Sequence, residues 1–254
     1  MTTLVLVHGM WCRPHVWQPM RDYFERRGYR VRTPSLLFHD VDPDGAPPPA
    51  LARASVRDYA DHLTAELDGI DDFALIGHSM GSVIAQLVAH RRRPRALVGL
   101  SGAAPANVFV LAPAPMRVFL RQLLTWGFWR KPHRPSWAAA RWGILQHLPE
   151  NAARELHESL VYESGRALFE LGFGFADSRR AGEVVPRALA GIPKLFLTGA
   201  DDRITPASAG RRTAALYGAP FEELPGHGHW LIGEPGWERV AERVDEFLVR
   251  SLAG

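Results

Sequence analysis

One serine stands in the pattern Gly-x-Ser-x-Gly, as Gly77-His78-Ser79-Met80-Gly81. A hydroxyl is a weak nucleophile until a base takes its proton. The chemistry to look for is acyl transfer, with a histidine as base and a buried acid to orient it. The chain has 11 histidines, so position must choose among them. The stretch "LPGHGHWLIGEP" places His227 and His229 in one turn. His229 is the preferred base and His227 the alternative. The stretch "KLFLTGADDRITP" places Asp201 and Asp202 just after an apolar run. Asp202 is the preferred acid, with Asp201 as a turn or cap residue. The order Ser79, Asp202, His229 is one of the known chain orders for this constellation.

Acyl transfer also needs donors for the developing oxyanion. The Met80 N–H follows the serine at a helix start and is one candidate. A second should come from the loop after the first strand, in "VLVHGMWC", where Gly9 lets the chain turn. The Met10 N–H is preferred there, and the Trp11 N–H is the alternative. His8 reads as a loop support. Trp11 and Trp230 flank these loops and are candidate substrate contacts.

The elements that must hold these groups are legible from periodicity. Leu4–Val7, Tyr29–Thr33, Phe73–Ile76, Ala96–Leu100, Lys194–Leu197 and Pro220–Glu223 read as strands. Val16–Arg27, Ser55–Leu67, Ser82–Arg92, Ala207–Tyr217 and Trp237–Arg250 read as helices. Alternation of this kind predicts an α/β fold, a mostly parallel sheet with helices on both faces. Ser79 then lies where a strand turns sharply into a helix. Flanking glycines give the two backbones room to approach. The middle departs from the rhythm, with helical patterns at Pro115–Trp126, Ser136–Leu148, Glu150–Tyr162 and Arg166–Phe173 and no convincing strand. We therefore expect a core of residues 1–102 and 193–254, with an all-helical cap inserted at 103–192.

Other features exclude more than they suggest. The net charge of +3 is small. The run Arg91-Arg92-Arg93-Pro94-Arg95 reads as a helix end, where cations meet the negative end of the dipole, and not as a nucleic-acid site. Asp40, Asp42, Asp44 and Gly45 resemble the start of a calcium loop, but its twelfth position is Leu51 where a glutamate is needed. No metal and no organic cofactor is expected. Cys12 is the only cysteine. It permits no internal disulfide and is expected in packing or the pocket wall. No apolar run is long enough to span a membrane. With an N-terminus that lacks a signal-peptide pattern, this leads us to expect a cytoplasmic protein, of undetermined oligomeric state.

The motifs together resemble the α/β-hydrolase superfamily, in its esterase, lysophospholipase and peroxidase-like branches. The matching pieces are "HGMW", "GHSMGS", "TGADDRITP" and "PGHGHW…EP", spread over the whole chain. The resemblance implies that the aspartate four residues before Pro206, Asp202, is the triad acid. It implies that the histidine of "GHW", His229, is the base. It also implies a helical cap over the sheet edge, and a sheet without the first two of eight strands, since the first strand begins at Leu4. The function expected is that of a Ser-His-Asp hydrolase acting on a carboxylic ester or thioester of a fairly apolar small molecule. A carrier-linked thioesterase, a cyclase or lyase, a carbon–carbon hydrolase and a non-turnover ligand receptor remain open alternatives.

Overall fold

A computed structural model describes residues 1–110 and 112–253. Six strands form one parallel sheet: β1 (Thr3–Val7), β2 (Arg30–Arg32), β3 (Phe73–His78), β4 (Leu97–Leu100), β7 (Lys194–Gly199) and β8 (Phe221–Leu224). Their order is β2-β1-β3-β4-β7-β8, with every neighbouring pair parallel. β1, β3 and β7 are buried along their whole length and so read as continuous apolar runs. The edge strands differ. β2 exposes Arg30 and Arg32, and β8 is only partly buried, which is how edges avoid pairing with other chains.

Helices cover both faces. α1 (Gln18–Arg26) packs against α10 (Trp237–Leu252) on one side. On the other, α2 (Val56–Glu66) packs against α3 (Met80–Arg92). α9 (Ala207–Tyr217) joins α3 through a Tyr217 Oη to Gln86 Oε1 hydrogen bond of 2.7 Å. Strand order reverses between β1 and β3, because β1 feeds leftward to β2 while β3 feeds rightward to β4. The crevice at the carboxyl ends of those two strands is the topological switch point, where open α/β sheets hold their ligands.

The basic run behaves as a helix end. Arg92 donates to the carbonyls of Thr64, Leu67 and Ile70, Arg93 donates to those of Ala188 and Ala190, and Arg91 pairs with Asp61. Among the described residues no group of three or more His, Cys, Asp or Glu could hold a metal ion, and the Asp40–Asp44 stretch is a turn.

The middle segment, between β4 and β7, holds α4 (Pro113–Val118), α5 (Leu120–Leu123), α6 (Trp137–Gly143), α7 (Glu150–Ser159) and α8 (Gly165–Gly172). Two features depart from the periodicity. The span Pro115–Trp126 is two short helices broken at Phe119, whose ring turns inward onto Trp11. The segment also contains a ribbon of two antiparallel strands, β5 (Pro132–His133) and β6 (Glu163–Ser164). Strands of two residues are too short to show alternation, so the sequence carries no signal for them.

Buried carboxylates tie this segment to the core. Glu163 accepts from Tyr59 Oη at 2.5 Å, from His39 Nε2 at 3.1 Å and from the Ser164 N–H at 2.6 Å. Glu170 accepts from Ser55 Oγ and the Val56 N–H at the start of α2, and from Arg166. Burial alone would lower the His39 pKa, but the Glu163 charge and its hydrogen bonds outweigh burial and raise it. Removing one partner of such a cluster leaves the others buried and unpaired. Glu163→Ala should therefore destabilise the protein by about 3–5 kcal/mol. Glu163→Gln should cost less, because it keeps an acceptor for Tyr59. Urea midpoints of the two variants check this, and an unchanged midpoint for Glu163→Ala would show that the cluster holds nothing.

Candidate active site

β3 ends at His78 and α3 begins at Met80, which leaves Ser79 alone to make the bend. Its backbone has φ 54° and ψ −123°, a strained region for any residue with a side chain. The glycines explain how the bend closes. A Cβ on Gly77 would stand 2.4 Å from the Gly81 carbonyl oxygen, and one on Gly81 would stand 2.2 Å from that of Val7. No side chain fits at either position. Gly9 approaches from β1, where a Cβ would lie 2.8 Å from the Ser79 Cβ.

The loops after β7 and β8 bring the other two groups. Ser79 Oγ lies 3.1 Å from His229 Nε2. His229 Nδ1 lies 2.9 and 3.0 Å from the two carboxylate oxygens of Asp202. Because a carboxylate only accepts, Nδ1 carries the proton and Nε2 is free to accept one from Ser79. All three residues are buried, Ser79 at 8% exposure. Burial would raise the Asp202 pKa, but the His229 charge, its hydrogen bond and the donors of Thr205 bring it below the ordinary carboxylate range.

The alternatives have other duties. Asp201 faces the middle segment, with His147 Nε2 at 3.4 Å from its carboxylate and Gln146 donating to its carbonyl at 2.7 Å. His227 pairs through Nδ1 with Glu234 at 3.0 Å. The Met10, Trp11 and Met80 N–H groups donate to no acceptor among the described residues. His8 supports its loop. Its Nδ1 donates to the Gly9 carbonyl at 3.0 Å and its Nε2 accepts the Leu36 N–H at 3.1 Å. Trp11 and Trp230 both line a small cavity above Ser79, together with Met10, Cys12, Ile144 and Leu160. Trp11 also donates to the His133 carbonyl at 3.1 Å.

Four supporting residues were not assigned from the sequence. Thr205 lends its N–H and its hydroxyl to Asp202, at 2.8 and 2.7 Å, and Ile204 adds a second N–H at 2.8 Å. The spacing of an aspartate two and three residues before these donors marks an Asx-type turn and could have been read. Glu234 accepts from the Gly228 N–H at 2.8 Å as well as from His227, and so fixes the histidine loop. His78 donates from Nε2 to the His229 carbonyl at 2.8 Å. The His78 contact joins parts of the chain far apart in sequence, which no spacing reveals, whereas Glu234 closes its own loop on residues six and seven positions before it.

A hydroxyl, an imidazole and a carboxylate in one hydrogen-bonded line, on a strand-to-helix elbow at a sheet's switch point, define the α/β class of hydrolytic sites. A profile of the Alpha/beta hydrolase family matches residues 4–243, and the chain belongs to that family. No curated protein matches by sequence. Solved structures share the fold. An extracellular alpha/beta-hydrolase from a Paenibacillus species, described as homologous in structure and function to tobacco Salicylic Acid Binding Protein 2, aligns with TM-score 0.73 and 19% identity over 99% of each chain. A pyrethroid hydrolase from Sphingobium faniae JZ-2 aligns with TM-score 0.73 and 20% identity, over 97% of this chain and 96% of the other. A polyneuridine aldehyde esterase aligns with TM-score 0.69 and 15% identity, over 96% and 98%.

The neutral histidines around the site set a pH dependence of stability. Burial, reinforced by the charges of His39 for His8 and of His229 for His78, lowers both pKa values to about 3. Both stay neutral in the folded state, whereas the unfolded chain protonates them below about pH 6.5. Their contribution is complete above that pH and is lost as pH falls toward 3. His39 works the other way above 6.5, since its raised pKa favours the folded state only until it deprotonates. In the window from 6.5 down to 5, His15 and His133, whose pKa values burial also lowers, act in the same direction, and the largest changes are those of His8 and His78. Each should cost about 2 kcal/mol there. Thermal melts should show stability falling well before the carboxylates titrate, and His78→Asn should flatten that limb.

Proposed function

We propose that this protein is a serine hydrolase that cleaves a carboxylic ester or thioester of a fairly apolar small molecule through an acyl-enzyme. The hydrogen-bonded line Ser79–His229–Asp202 carries the reading. His229 takes the proton as Ser79 Oγ attacks the carbonyl carbon. Asp202 holds the imidazole in the tautomer with Nδ1–H and stabilises the cation that forms. The Met80 and Met10 N–H groups receive the oxyanion. His229 then returns its proton to the leaving group. Water, activated by the same imidazole, releases the acid and restores the Ser79 hydroxyl.

The cavity lining supports an apolar substrate. Met10, Trp11, Cys12, Ile144, Leu160 and Trp230 contribute no charge near the scissile bond. Ile144 and Leu160 come from the middle segment, which supports reading residues 103–192 as a cap over the sheet edge. Burial raises the Cys12 thiol far above its usual range, so it serves as wall and not as a second nucleophile. Among the described residues no helix is long and apolar enough to cross a membrane.

Ser79→Ala should lower turnover of an activated ester by roughly 10⁴-fold or more while the thermal melt stays unchanged. A fluorophosphonate probe should label wild type at Ser79 and leave the variant unlabelled. Near-normal turnover by Ser79→Ala would remove the proposal.

A further inference from the structure

Between Gly102 and Glu150 the chain carries Arg117, Arg121, Arg130, Lys131, Arg134 and Arg141 and not one acidic residue. One of the six, Arg141, meets a carboxylate among the described residues, that of Glu150 at 3.3 Å. Arg117, Arg121, Arg130 and Lys131 are exposed. The same stretch holds most of the protein's large exposed apolar side chains. Met116, Leu120 and Leu124 recur every fourth residue across α4 and α5. Trp126, just beyond, is 87% exposed and Leu124 77%.

These side chains are joined to others beyond the stretch. Trp126 packs on Trp129 at 5.4 Å between ring centroids, and Trp129 on Phe169 at 6.2 Å. Phe169 stacks on Phe173 at 5.8 Å, and Phe173 reaches Phe175 at 6.2 Å. Phe175 is 72% exposed. An aromatic ribbon therefore crosses the outer surface with both ends in water. Single exposed apolar residues need no explanation, but a connected set does.

The back of this surface is the wall of the active-site cavity. Phe119, between Met116 and Leu120, stacks on Trp11 at 5.8 Å. Val118 is buried against Gly143, where a Cβ would lie 2.4 Å from the Val118 Cγ2. Ile144, the next residue, lines the cavity over Ser79. That cavity has a volume of about 10 Å³, room for about one water. An acyl group seated over Ser79 needs more room than this wall leaves.

We infer that the α4–α5 segment is a docking element for an anionic lipid surface, from which an apolar ester enters the site. Leucine and tryptophan placed among exposed arginines and a lysine that meet no carboxylate among the described residues are the chemistry that enters a bilayer interface while holding anionic headgroups. An apolar protein partner would match the leucines and the tryptophan but leave the cations unanswered. The entry of substrate rests on the hydrolase reading, whereas the docking does not.

Cosedimentation with phosphatidylcholine vesicles, with and without phosphatidylglycerol, tests the docking. The inactive Ser79→Ala protein serves equally well, which keeps binding separate from turnover. Binding should require phosphatidylglycerol and weaken as salt is raised. Arg117→Gln and Arg121→Gln should each weaken it about fivefold. Leu124→Ser with Trp126→Ser should weaken it at least about tenfold. These are surface positions, so thermal melts and turnover of a short soluble ester should match wild type. A long-chain ester carried in the phosphatidylglycerol vesicles should be hydrolysed more slowly by the Leu124→Ser/Trp126→Ser variant. Absence of phosphatidylglycerol-dependent binding by wild type would overturn the inference, as would full binding by that double variant. A wild-type dimer in sedimentation velocity that the double variant splits, without vesicle binding, would assign the surface to a second copy instead. If no ester is turned over while the vesicle results hold, the hydrolase reading fails and the docking surface stands.

Discussion

The contact that everything else depends on is backbone against backbone at the elbow. Gly77 lies on Gly81, and Gly81 lies on the carbonyl of Val7, with no room for a Cβ at either glycine. This contact sets the distance between β3 and α3 and pins the end of β1 to both. It holds Ser79 at a φ that a residue with a side chain rarely adopts. It also places the loop after β1 beside the N-terminus of α3, with Gly9 against Ser79 and the Val7 and His8 carbonyls against Gly81. A methyl group at either glycine would separate these parts at once. The strain in Ser79 persists because three strands and a helix over-determine it.

A second level of organisation holds the loops. Each loop that brings a reactive group to the sheet edge is anchored by a buried polar partner of its own. His8 fixes the first loop to Leu36, Thr205 fixes Asp202, His78 fixes the carbonyl of His229, and Glu234 fixes Gly228. A low-dielectric site strengthens these bonds and makes their loss costly. The same burial keeps His8 and His78 neutral, so they act as fixed dipoles and not as charges competing with His229.

What was legible in the sequence follows from this division. Strands β1, β3 and β7 are buried on both faces, and their apolar runs are plain. α9 begins and ends where its periodicity says, because Pro206 precedes it and Gly218 closes it. Ser79, Asp202 and His229 could be named because each sits at a fixed offset from a strand end. The role of His78 could not be assigned, since it arises between loops far apart in the chain, and that of Glu234 depends on how its own loop folds back onto Gly228. The β5–β6 ribbon was invisible because two residues cannot alternate. The break at Phe119 was invisible because a tertiary contact with Trp11 overrides a continuous helical pattern.

The middle segment is held unevenly, and this bears on how the site could open. On the side of β6 and α8, Glu163 and Glu170 are buried and bonded to Tyr59, His39, Ser55 and the start of α2. Moving that side would strand carboxylates without partners, at a cost of several kcal/mol each. On the side of α4 and α5, the inward contacts are chiefly apolar, Phe119 on Trp11 and Val118 against Gly143, and the buried amide of Gln122 leaves its Oε1 without a partner among the described residues. Apolar contacts can be exchanged for other apolar contacts, including those a lipid or a bound acyl group would supply, with little net loss. Displacement that enlarges the space over Ser79 is therefore cheapest at α4–α5. The polar ties behind β6 hold the rest of the segment in place, and the loop after β1, with Trp11 still bonded to His133, keeps its support from that side.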